Sequence, residues 1–222
     1  MRLLRSLSIV MGGLLAACAA GDDALDLDTT SSAVTVPFYV KFDNYPSGNI
    51  DGQDGWVGNC VVTDDATPPN KYLKCRSGDN ATKAMALQSS GSFYLQTDVW
   101  PNVNVVNSTH GKLSLEGPQG RVFQIIVGCD NIRVAFQMNG PVAGLMSFPC
   151  NTVAPPPRYR VICMWSGGGT TMTCGAAQLP AEVTSWVTLN VPSALRPFNS
   201  VALTTFALPG ATLFDKIYLE RN

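Results

Sequence analysis

From Val34 to the C-terminus the chain is cut into short β-branched and aromatic runs by Gly, Pro, Asn and Asp, with almost no 3.6-residue apolar stripe. Short or alternating apolar runs bury one face of a sheet at a time, whereas a helix needs a stripe sustained over several turns. The pattern therefore predicts an all-β chain. Strand-length segments fall at Val36 to Asp43, Val57 to Thr63, Ala84 to Gln88, Ser92 to Trp100, Lys112 to Glu116 and Val122 to Val127. Further ones fall at Ile132 to Met138, Arg158 to Trp165, Thr171 to Ala176, Trp186 to Val191, Ser200 to Leu208 and Thr212 to Glu220. About a dozen strands in one domain predict a two-sheet antiparallel sandwich or jelly roll over a small barrel. No repeat of propeller or solenoid type is present, and Pro155-Pro156-Pro157 reads as a stiff connector between strands of one kind.

Composition agrees with one folded body. In 222 residues, 45% are apolar and 14% charged, enough for a sizeable core and too apolar for a disordered chain. The net charge of −1 leaves no basic surface for phosphate backbones, which argues against a nucleic-acid partner.

Seven cysteines are an odd number, and the N-terminus accounts for the odd one. Arg2 and Arg5 precede an uncharged run from Leu7 to Leu15, and small residues follow. That is the layout of an export signal, too short to span a bilayer as a helix. Leu15-Ala16-Ala17-Cys18 resembles the lipobox of bacterial lipoproteins. The resemblance implies cleavage before Cys18, a diacylglycerol on its sulfur, an acyl chain such as palmitate on its amino group, and attachment to the membrane through these lipids. Ala19 beside it implies the outer membrane by the sorting rule of enteric bacteria. The alternative is an ordinary signal peptide cut near Ala20, with Cys18 discarded.

The chain thus divides into a signal peptide at 1–17, a lipidated tether at 18–35 and a single β-domain at 36–222. Loss of the signal leaves 13 basic and 16 acidic groups, a net charge of −3. The tether carries Asp22, Asp23, Asp26 and Asp28 among threonines and serines, and has little to bury.

Cys60, Cys75, Cys129, Cys150, Cys163 and Cys174 remain in the exported part, where oxidising conditions favour disulfides. Six cysteines allow about fifteen pairings. Sequential pairing is expected because Ser166-Gly167-Gly168-Gly169 reads as a hairpin turn that sets Cys163 opposite Cys174, and the other pairs follow by proximity. The cysteines lack CxxC spacing and His110 is the one histidine, so a structural zinc site is not expected.

Phe42-Asp43-Asn44-Tyr45-Pro46-Ser47-Gly48, then Asp51-Gly52-Gln53-Asp54-Gly55-Trp56, resembles the opening of concanavalin A-like lectin/glucanase (LamG-like) jelly rolls. Leu213-Phe214-Asp215-Lys216-Ile217-Tyr218-Leu219 is similar to their closing strand. The resemblance covers both ends of the body; the middle agrees in strand count. It implies a jelly roll whose first and last strands lie side by side. It also implies a structural calcium, with Asp43 and Asp215 as carboxylate ligands and backbone oxygens near Gly48 as helpers. The alternative is that Asp43 caps a turn and Asp215 is an exposed strand residue.

Enzymes of this fold supply a check on catalysis. The laminarinase-type Glu-x-Asp-x-x-Glu motif is missing, since Glu116, Glu182 and Glu220 are dispersed. The Gln-Ile-His strand of alginate lyases is matched by Gln124-Ile125-Ile126, whose last side chain cannot move a proton. His110 lies in a loop with no nucleophile beside it, and the sequons at Asn80 and Asn107 are discounted for a bacterial chain.

A binding face is easier to assemble. In Ser92 to Trp100, alternation puts Phe93, Leu95 and Val99 on one side and Tyr94, Gln96, Asp98 and Trp100 on the other. Arg133, Gln137 and Asn139 alternate in the same way against Ile132, Val134, Phe136 and Met138. If the two strands share a sheet, a concave polar groove follows, suited to sugar rings. The alternative is an ordinary solvated face with Trp100 under a loop. Trp56 and Trp186 are assigned to core edges, and Trp165 to packing against the Cys163–Cys174 bridge.

The expected function is an envelope-anchored lipoprotein that binds carbohydrate or another surface polymer without turnover. A divergent polysaccharide lyase or glycosidase, and a structural or adhesive envelope protein, are the alternatives.

Overall fold

The computed structural model describes residues 38–64, 70–88, 91–101, 110–128, 130–136, 142–148, 158–166, 169–191, 196–206 and 210–221. The signal peptide, Cys18, the tether, Cys129, Cys150, Gln137 and Asn139 lie outside them.

Sixteen strands are present among the described residues. In the first half these are β1 (Phe38–Val40), β2 (Gly48–Asn49), β3 (Trp56–Gly58), β4 (Val61–Asp64), β5 (Lys71–Arg76), β6 (Asn80–Gln88), β7 (Phe93–Pro101) and β8 (His110–Gly117). The second half holds β9 (Gly120–Val127), β10 (Asn131–Phe136), β11 (Val142–Ser147), β12 (Tyr159–Trp165), β13 (Thr171–Gln178), β14 (Trp186–Asn190), β15 (Phe198–Phe206) and β16 (Ala211–Arg221). Short 3₁₀ turns at Phe42–Asn44 and Gln53–Gly55 sit between β1 and β3.

The strands form two antiparallel sheets, as the sequence predicts. The nine-stranded sheet runs β14-β13-β12-β7-β16-β5-β4-β2, with β1 also pairing β16. The seven-stranded sheet runs β11-β10-β9-β8-β15-β6-β3. β1 and β5 lie end to end along one edge of β16, Val40 opposite Ile217 and Leu73 opposite Phe214. The first and last strands are therefore neighbours.

Alternation builds the core. Phe93, Leu95 and Val99 from β7 and Phe214 from β16 face Leu113, Leu115, Phe123, Ile125, Val201 and Leu203 of the other sheet, each at most 3% exposed. The Phe93 ring meets Phe123 at 5.9 Å and Phe198 at 6.3 Å. Each such side chain contributes roughly 1.5–3 kcal/mol on burial.

The sequence expectation and the structure differ in strand number for a physical reason. The run from Val57 to Thr63 is two strands, because the chain leaves the seven-stranded sheet after β3 and enters the nine-stranded sheet at β4. Gly58 makes that crossing possible: its φ is +146°, and a Cβ there would lie 2.1 Å from the Asn80 carbonyl oxygen. β2, β5 and β11 are additional. β5 reads as polar because Lys71, Lys74 and Arg76 surround the two side chains it buries, Leu73 and Cys75.

Two of the expected disulfides are present. Cys163 and Cys174 are directly opposed across β12 and β13, and Cys60 is bonded to Cys75, pinning the crossing segment to β5. The hairpin turn closes through the Gly169 amide, which donates to the Ser166 carbonyl at 2.9 Å.

Candidate functional site

The outer face of the nine-stranded sheet gathers the aromatic and hydrogen-bonding side chains. Because pairing registers are fixed, outward residues line up in rows across strands. One row runs Tyr39, Tyr218, Gln96, Ile162, Gly175 and Trp186, each opposite the next through β1, β16, β7, β12, β13 and β14. At about 4.8 Å per strand it is about 24 Å long. Its ends are exposed aromatics, Tyr39 at 56% and Trp186 at 42%. Trp186 is therefore a surface residue, not the core-edge residue the sequence suggests, while Trp56 is fully buried. Gly175 is what lets the Trp186 ring lie on the sheet: a Cβ at 175 would sit 3.1 Å from the indole and 2.6 Å from the Ser185 carbonyl oxygen.

The aromatic contacts continue along the row. Tyr218 meets Tyr39 at 6.2 Å and Tyr94 at 5.8 Å, both edge to face. The Tyr94 hydroxyl donates to Gln96 Oε1 at 2.9 Å, and the Tyr218 hydroxyl to Glu220 Oε2 at 2.7 Å. The bond to Glu220 raises the Tyr218 phenol above its ordinary value, and burial raises that of Tyr94. Both hydroxyls stay protonated donors.

Beside this row lies a charged cluster. Asp98 and Asp215 are opposite each other on β7 and β16, and both are buried. Arg160 Nε donates to Asp98 Oδ1 at 2.8 Å, and Arg158 Nη2 to Asp98 Oδ2 at 3.0 Å. The same Arg158 nitrogen lies 3.0 Å from Asp215 Oδ2. The Arg158 guanidinium stacks on Trp100, 4.4 Å from the ring centre, and Trp100 meets Tyr72 at 5.8 Å. The carboxylates are covered and the guanidinium groups and rings form the surface. Burial pushes the Asp215 carboxyl above its ordinary value, against the pull of Arg158. Hydrogen bonding to Asp98 raises Arg160.

The face holds Tyr94, Gln96, Asp98 and Trp100 together, but a groove shared with Arg133 does not form. β10 belongs to the seven-stranded sheet, so Arg133 points from the opposite side of the sandwich. Sequence reasoning passes over Arg158, Arg160, Tyr218 and Tyr39. Their alternation is visible in the sequence, but the strand partners that bring them beside β7 are not.

The structure brings the two proposed calcium ligands into one neighbourhood, since the Asp43 and Asp215 charges act on each other. The donor set does not fit the ion. Asp43 accepts from the Lys41 ammonium at 2.7 Å and the Lys71 amide at 2.5 Å. Burial would raise its carboxyl, and these bonds outweigh burial and hold it below the ordinary value. Asp215 Oδ2 is taken by Arg158, leaving Oδ1 as a buried oxygen without a partner. One such oxygen beside Lys41 and Lys216 falls far short of the about six to eight that calcium requires. Among the described residues no group of three metal-ligating side chains converges.

No protein-family model matches the chain, and no curated protein matches it in sequence. Solved structures do match. The chain superposes on the T. cruzi calreticulin globular domain with a TM-score of 0.54 at 12% identity, covering 83% of this chain and 87% of that one. It superposes on lectin II from Ulex europaeus with a TM-score of 0.57 at 8% identity, covering 85% and 99%. The fold is a lectin-type jelly roll. The metal-free form of lectin I-B4 from Griffonia simplicifolia agrees, with a TM-score of 0.55 at 10% identity over 85% and 100%. Identities this low carry the sandwich across and none of its site residues.

Proposed function

We propose that the protein is an envelope-anchored lipoprotein that binds glycans on the outer face of its nine-stranded sheet and does not turn them over. The observation that carries this reading is the row from Tyr39 to Trp186 with Trp100, Arg158 and Arg160 beside it. Sugar rings present C–H faces that stack on aromatic rings and hydroxyls that pair with amides, guanidinium groups and phenols. Here these groups are held rigidly by strands and by one another. The lectin-type sandwich supports the reading at the level of fold.

Binding without turnover is the reading because of how the carboxylates sit. Asp98 and Asp215 are covered by Arg158, and neither has the open side that a nucleophile or proton donor needs to reach a glycosidic oxygen. Anchoring rests on the sequence around Cys18, which would place the binding face at the end of a tether on the outer membrane.

The test is a panel of neutral and acidic polysaccharides with wild type and Trp100→Ala with Trp186→Ala. Binding that falls at least about tenfold in the double variant supports the face. Binding unchanged in that variant moves the site elsewhere. Release of reducing ends or unsaturated uronates by the wild type would replace binding with catalysis.

A further inference from the structure

A cavity of about 470 Å³ opens at the Tyr39 end of the row, lined by Tyr39 and Lys41 on one side and by Asn44, Tyr45, Gln53 and Asp54 on the other. Its size is within the about 300–1,000 Å³ typical of small-ligand sites. Tyr39 belongs to both the cavity and the row, and its ring touches Tyr218. The segment from Phe42 to Gly55, with its two 3₁₀ turns, supplies the far wall. A chain lying along the row from Trp186 therefore meets a pocket and a wall at the other end.

The lining combines apolar ring surface with a few polar groups whose charges are already matched. Asp54 Oδ2 accepts from the Tyr45 hydroxyl at 2.7 Å and from Lys83 Nζ at 2.5 Å, and Lys41 is paired with Asp43. What is left for a ligand is uncharged in sum: Asp54 Oδ1 as an acceptor, the Asn44 amide as donor and acceptor, and two phenol rings as walls. Gln53 Nε2 ties down the far wall by donating to the Pro46 and Asn49 carbonyls at 3.3 and 2.6 Å. That leaves Gln53 Oε1 buried with no hydrogen-bond partner.

We propose that this cavity holds the terminal ring of a neutral glycan whose following rings lie on the Tyr218–Gln96 row, so that the protein recognises chain ends. The inference rests on glycan binding by the outer face. Matched lining charges disfavour a uronate or sulfated ring, which would bring an unpaired negative charge beside Asp54.

End recognition has a signature that binding within a chain lacks. At equal sugar mass, a hydrolysed polysaccharide carries many more ends than the intact polymer. The full-length protein is bound to immobilised amylose, mixed-linkage β-glucan, galactomannan and xylan, and competed with each polymer intact or acid-hydrolysed to short chains. For the polymer that binds, the hydrolysate is expected to compete about tenfold better or more. In Asn44→Ala with Asp54→Ala that advantage is expected to disappear while the melting temperature stays near wild type; if the double variant unfolds, Asn44→Ala alone carries the comparison. Intact polymer competing as well as its hydrolysate would overturn end recognition and leave the binding face standing. Binding to acidic polysaccharides alone would also overturn the inference without touching the face. Binding to no polysaccharide of either kind would overturn both.

Discussion

Asp98 and Asp215 face each other across β7 and β16 and share one nitrogen of Arg158, 3.0 Å from an oxygen of each. The two carboxylates are not equivalent. Asp98 is fully buried and holds two guanidinium groups, while Asp215 holds one and has an oxygen without a partner.

Asp98→Asn should therefore cost more than Asp215→Asn. Removing one member of a buried ion pair costs about 3–5 kcal/mol, and the partial exposure of both arginines reduces this to about 2–3 kcal/mol for Asp98→Asn. Asp215→Asn should change stability by about 1 kcal/mol or less, because Arg158 keeps Asp98. The folded-state pKa of Asp215 is raised, so the folded protein takes up this proton before the unfolded chain does. Wild type should gain stability relative to Asp215→Asn as pH falls through that raised value toward the ordinary 3.8, and lose it as pH rises again. Urea titrations of both variants across that window measure the order and the sign.

The Tyr45 phenol gives a second pH signature at the alkaline end. Burial, and then its bond to Asp54, push it up to about 12 from 10.0. Between those values the folded state keeps a proton that the unfolded chain has lost, so stability falls as pH rises. The loss is up to about 2 kcal/mol, and Tyr45→Phe should flatten it. Denaturant midpoints of the two proteins from pH 9 upward, compared as a difference, read this directly.

Cys163→Ser with Cys174→Ser removes a cross-link closing a loop with a sequence separation of 11. The chain-entropy estimate for a loop of this size is about 3 kcal/mol. The bond also fixes β12 against β13, the strands that carry Ile162 and Gly175 in the row. Calorimetry should show a lower melting temperature, and the polysaccharide panel should show weaker binding at a temperature where the variant is still folded.

Calcium should leave the melting curve where it is. Lys41 and the Lys71 amide occupy Asp43, and Arg158 occupies one oxygen of Asp215. Calorimetry with added calcium and with chelator should give transitions that coincide. A clear rise with calcium would show that these partners yield to the ion.

Much of the sandwich is legible in the sequence, because each strand declares itself locally. Phe93, Leu95 and Val99 alternate with Tyr94, Gln96 and Asp98, and the glycine turn at 166–169 announces the β12–β13 hairpin. Pairing between strands distant in sequence is not local, and there the reading breaks down. Nothing near Arg133 says that β10 lies on the other sheet from β7, and although the closing-strand resemblance puts Tyr218 beside the first strand, nothing near it says that Gln96 is its neighbour on the other edge. Trp186 reads as a core residue by type; it is exposed because β14 is an edge strand and Gly175 leaves room for its ring. The surroundings of Asp43 and Asp215 are hidden for a related reason. The sequence shows two carboxylates and conceals the cations that the fold brings to them.

Glycan binding by the outer face of the nine-stranded sheet is tested most directly by the affinity of wild type and Trp100→Ala with Trp186→Ala for the polysaccharide that binds best. Equilibrium binding to that polymer should weaken by at least about tenfold in the double variant, with the melting temperature little changed. Equal affinity in the two proteins, both folded, would contradict the assignment of this face.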